Sequence, residues 1–133
     1  MNARAALLAA VLAALPLAAN AQTPMSAAEF EAYVTGKTLL YSAGNGAYGG
    51  EDYLPGRRVR WSFLDGRCLD GTWYDDGPEI CFVYEDDPAP ICWLFYETPA
   101  GLVAEVSGGQ GETLYETGEA PGPLYCLGPE VGV

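Results

Sequence analysis

The 133-residue chain contains no histidine. That removes the side chain that most often serves as general base and metal ligand near neutral pH. Ser-His-Asp and Cys-His sites are therefore excluded. A zinc site would have to be built from cysteine and carboxylate alone. Positive charge is also scarce. Six basic residues stand against 18 acidic ones, for a formal net charge of −12. Nucleic acid and anionic membrane surfaces are poor partners for such a chain, because both are gripped by clustered Lys and Arg. There is no Cys-x-x-Cys, so the four cysteines read as structural rather than redox-active. These absences predict a non-enzymatic chain with no metal and no cofactor. A hydrolase working on carboxylates alone is the one enzyme class left open.

The amino terminus supplies the clearest positive signal. Arg4 precedes an apolar run over residues 5–19, and Ala19-Asn20-Ala21 follows. A basic start, an apolar centre and a small-x-small end predict a signal peptide over residues 1–21. The run is too short to span a bilayer, which needs about 20 apolar residues. The expected mature chain, 22–133, is one periplasmic or secreted domain with no membrane insertion after cleavage. An oxidising compartment lets its cysteines pair.

Ser26 and Glu29 form a capping box, with Met25 and Phe30 placed as a hydrophobic staple. Ala27, Phe30 and Val34 share one helical face, and Gly36 closes the helix. Beyond Lys37 the signals are strands and turns. Residues 38–42 and 48–54 flank Asn45-Gly46, a hairpin dipeptide. Val59, Trp61 and Phe63 alternate on one face of the next strand. Residues 68–74 follow, with Gly71 as an expected bulge. Runs 80–84 and 91–96 are apolar at nearly every position, which predicts strands covered on both faces at the sheet centre, linked by 85–90. Further strands are expected at 102–107, 113–117 and 124–127. The fold expected is mainly β: an antiparallel meander, curled or closed into a small barrel, with one short N-terminal helix.

Four cysteines allow three connectivities. Cys81 and Cys92 lie on expected hairpin neighbours, which favours that bridge and leaves Cys68 to pair with Cys126. Each closure is worth about 3–4 kcal/mol in a chain this small.

Gly44-Asn45-Gly46-Ala47-Tyr48-Gly49 matches the dinucleotide fingerprint, but no helical period follows it, so a glycine-rich hairpin is expected. Arg57, Arg58 and Arg60 hold most of the basic charge. Arg58 and Arg60 are expected on the face opposite Val59 and Trp61, paired with Glu51, Asp52 or Asp70 or forming an anion site. Asp65, Asp75-Asp76 and Glu85-Asp86-Asp87 form acidic turns. Asp65 and the 85–87 cluster are expected at one end of the meander, as solvated turns rather than a calcium site.

Gly71-Thr72-Trp73-Tyr74 resembles the Gly-x-Trp of lipocalins and the opening of avidin-like biotin binders, which implies a curled sheet with Trp73 as barrel plug or ligand wall. In those families the motif sits on the first strand; here it is mid-chain. Ser26-Ala27-Ala28-Glu29-Phe30, Gly36-Lys37-Thr38-Leu39, Glu51-Asp52-Tyr53-Leu54-Pro55-Gly56, Gly71-Thr72-Trp73-Tyr74, Ile80-Cys81-Phe82-Val83-Tyr84-Glu85 and Cys92-Trp93 resemble a group of small secreted proteins of Gram-negative bacteria. Residues 41–48 are similar to the Ser-Gly-rich loop that periplasmic inhibitors of C-type lysozyme insert into a basic enzyme's cleft. Their second motif, an aromatic followed by Lys-Gly, has no counterpart after Trp93. The expected function is a binding domain for a protein or small-molecule ligand, or alternatively an inhibitor of a basic wall-degrading enzyme. Candidate binding residues are Ser42, Tyr48, Trp73, Arg58 and Arg60.

Overall fold

Ser26 starts the only helix found among the described residues, 22–128 of the computed structural model. Its hydroxyl accepts from the Glu29 N–H at 3.2 Å, as the capping box requires. Helix α1 runs Ala27–Val34. Phe30 and Val34, one turn apart, are buried, and so is Met25 before the cap. The segment read as a signal peptide lies outside the described residues.

Eight strands follow: β1 (Thr38–Ser42), β2 (Ala47–Leu54), β3 (Arg58–Ser62), β4 (Leu69–Asp76), β5 (Glu79–Tyr84), β6 (Asp87–Thr98), β7 (Gly101–Val106) and β8 (Leu114–Glu119). Each pairs antiparallel with its sequence neighbours, and β8 returns to β1 to close the barrel. Closure leaves no sheet edge unpaired. It also explains a departure from expectation. A closed barrel has no central strand, so the apolar runs in β5 and β6 are not covered on both faces. Val83 and Leu94, on the outer face, are only half-buried. On β5 the outer face is occupied by Cys81, paired directly with Cys92 on β6. Strand β6 starts at Asp87, so Pro88 and Pro90 lie in it rather than in a linker.

Gly71 is not a bulge. It pairs in unbroken register with Val59 and Tyr84. Glycine is needed there because a Cβ would lie 2.5 Å from the Val83 carbonyl and 2.8 Å from the Tyr84 ring. Register shifts occur instead in β1, between Leu40 and Ser42, and opposite β6 between Phe82 and Tyr84.

Two bridges staple the barrel, Cys81–Cys92 and Cys68–Cys126, and no described cysteine is free. They fit an extracellular or periplasmic location. No described helix is long and apolar enough to cross a membrane. Residues 124–127 form no strand. They strap the barrel's outside through the second bridge, Leu127 N–H to the Gly66 carbonyl (2.7 Å) and Leu124 N–H to buried Asp52 (3.0 Å).

Candidate functional site

A meander barrel has two ends, and α1 closes one of them. Phe30 sits edge-on to Tyr53 and Trp73, with centroids 5.8 and 5.1 Å away, and lies 4.4 Å from Phe95. The helix is held from outside by Arg57, whose guanidinium bonds Glu31 at 3.2 Å and Asp75 at 3.0 Å and lies 4.3 Å over Trp73. Trp73 therefore belongs to the plugged end and does not line the cavity.

Above this floor the interior is not filled. A cavity of about 230 Å³ lies among Tyr41, Tyr53, Trp61, Phe82, Trp93 and Ala104. Its mouth is formed where β1–β2, β3–β4 and β5–β6 connect, with Tyr48, Phe63, Asp86, Asp87 and Ile91 around it. An engineered apolar cavity of about 150 Å³ holds benzene, so this one accommodates a skeleton of one or two rings.

One wall residue is out of keeping with the rest. Strand alternation that turns Tyr53 inward does the same to Glu51, which is 1 % exposed. Its Oε1 accepts from the Tyr84 hydroxyl at 2.8 Å. Its Oε2 has no partner, alone among the buried side-chain oxygens and nitrogens of the described residues. Burial pushes the carboxyl well above its ordinary range. The Tyr84 hydrogen bond opposes this and the neighbouring Asp52 charge reinforces it. Burial also raises Tyr41, Tyr53 and Tyr84, so these phenols stay neutral. Tyr41 and Tyr53 satisfy one another, hydroxyl to hydroxyl, at 2.7 Å. Leaving a buried polar atom unpaired costs about 1–3 kcal/mol.

The glycine-rich segment forms the β1–β2 hairpin and leads into no helix. Its last glycine shapes the site. A Cβ on Gly49 would lie 2.3 Å from the Trp61 ring.

Of the candidates read from the sequence, Tyr48 lines the mouth, against Trp61 and Phe63. Ser42 ends β1, outside the lining. Arg58 and Arg60 also lie outside it; Arg60 pairs with Asp70 at 2.9 Å, and Arg58 donates to the Pro55 carbonyl. Glu51 and Asp52 take no arginine. The structure brings Asp86 and Asp87 to the open end, as the meander predicts, while Asp65 caps its own turn on Arg67 N–H. Among the described residues, Glu79, Cys81 and Cys92 are the one group with metal-ligand spacing, and the disulfide consumes both sulfurs. Sequence reasoning missed Glu51 as a cavity residue. The signal available was its position two residues before Tyr53 on one strand. Comparison with protein families, curated proteins and solved structures finds no match to the chain.

Proposed function

We propose that this protein is a non-enzymatic binding protein of the periplasm or extracellular space, holding one small, mainly apolar molecule inside its barrel. The observation that carries this reading is the combination of a plugged floor, an open mouth and an unfilled aromatic interior. Close-packed interiors leave few voids larger than a water molecule. Concave, mostly apolar sites with few polar groups are where small molecules bind. Exposed Phe63 (56 %) and Ile91 at the mouth extend the apolar path to solvent. Tyr48 is turned to the cavity, which favours a small ligand over insertion of residues 42–50 into an enzyme cleft.

The test is an NMR titration with 2-ethylnaphthalene, a neutral two-ring probe. The indole N–H signals of Trp61 and Trp93, which line the cavity, are expected to shift, and that of Trp73 to stay. Ala104→Phe, which fills the interior, is expected to abolish the shifts. Absence of any shift near probe saturation, or equal shifts in the filled variant, would sink the reading.

A further inference from the structure

Glu51 lines the cavity and its Oε2 has no protein partner, and the rest of that wall says what would satisfy it. Every charged residue lining the cavity is acidic: Glu51 within, Asp86 and Asp87 at the rim. No arginine or lysine is among the lining residues. The surfaces between them are aromatic, and aromatic faces attract cations. A fatty acid or other organic anion would meet three carboxyl groups and no positive counterpart.

We propose that the cavity selects an organic cation: a protonated amine on a one- or two-ring apolar skeleton, its ammonium hydrogen-bonded to Glu51 Oε2. This rests on the small-molecule reading and gives it a ligand class. In the empty barrel burial favours the protonated form of the Glu51 carboxyl. The arriving ammonium takes the place of that proton, which leaves for solvent, and Tyr84 continues to donate to Oε1. Burying an ion pair usually costs more in desolvation than it returns. Here the neutral carboxyl was desolvated when the chain folded, so binding adds the desolvation of the ligand and the ionisation of Glu51, which the adjacent ammonium charge favours. Asp86 and Asp87, with the net charge of −12, draw cations toward the mouth.

The experiment compares three probes of one shape by calorimetry on the disulfide-intact protein: 2-(2-naphthyl)ethylamine, 2-ethylnaphthalene and 3-(2-naphthyl)propanoate. The amine is expected to bind at least about tenfold tighter than the hydrocarbon, the scale of one charge-assisted hydrogen bond. The propanoate is expected to bind weakest. Glu51→Gln should remove the amine's advantage over the hydrocarbon. Asp86→Asn with Asp87→Asn should slow amine association and keep most of the preference. Equal binding of amine and hydrocarbon to the wild type, or a preference for the propanoate, overturns the cation assignment while the binding-protein reading stands. Loss of the preference in the rim variant with retention in Glu51→Gln also overturns it. If no probe binds the wild type, both readings fail together. The wild-type comparison decides the matter even if Glu51→Gln does not fold.

Discussion

The two ends of the barrel are made from the same kinds of residue and arranged to opposite effect. At the plugged end, aromatic rings close on Phe30 and the charged groups are matched: Arg57 meets Glu31, Asp75 and the face of Trp73. At the open end, aromatic rings stand around empty space and Glu51 keeps an unmatched oxygen. The first arrangement stabilises; the second gives up stability. Buried polar groups are nearly always paired, so an exception facing a cavity marks the part of the molecule shaped for something other than its own folding.

The largest effect expected on this contrast is at its floor. Phe30→Ala removes the ring that Tyr53, Trp73 and Phe95 close upon, and should cost about 3–5 kcal/mol in urea unfolding. A loss under about 1 kcal/mol would mean that the plug is decoration and the two ends are not distinct. Next is the strap on the outer wall. Replacing Cys68 and Cys126 by serine opens a closure between residues 58 apart in sequence and should cost about 2–4 kcal/mol, read from the shift in urea midpoint.

Glu51→Gln tests the open end. In the native protein the carboxyl titrates above its ordinary value of 4.5, so the folded state holds its proton after the unfolded chain has released it. Stability from this group is complete below pH 4.5 and declines as pH rises toward the raised value. The variant lacks that decline. The difference between the two proteins should open in the variant's favour by about 1.4 kcal/mol per pH unit across the window. Tyr84, Tyr41 and Tyr53 stay neutral throughout it. Parallel pH profiles for the two proteins would show that Glu51 is not the strained group. The smallest effect is expected at Arg57, whose ion pairs face solvent. Arg57→Met should cost about 1 kcal/mol, partly removable by salt in the wild type. A cost above about 3 kcal/mol would place the hold on α1 in Arg57 rather than in Phe30.

The plugged end was the more legible of the two in the sequence. Ser26 and Glu29 announce the helix because capping is local. The Cys81–Cys92 bridge follows from hairpin adjacency, which two neighbouring strands determine between themselves. What escaped the reading is non-local. Pairing of β1 with β8 joins Leu39 to Glu119, and no short-range pattern encodes it. Pro88 and Pro90 masked the start of β6, because proline normally argues against a paired strand. Gly71 looked like a bulge because its actual reason, the approach of Val83 and Tyr84, exists only once β4 and β5 are side by side. Glu51 was read as a partner for arginine, since a carboxylate on the strand beside Arg-rich β3 ordinarily faces water. Its inward turn follows from the parity of Tyr53, and that parity is recognisable only when Tyr53 is known to be core.

Gly49 has a consequence for how this interior can change. The Trp61 indole occupies the place where a side chain at position 49 would begin. The width of the chamber is thus set by a residue that contributes no wall of its own. Gly49→Ala must displace the indole, one wall of the chamber, and so changes the room without adding a polar group to the lining. Ligand size and ligand chemistry are therefore adjustable at separate addresses, position 49 for the first and position 51 for the second, on the same strand and two residues apart.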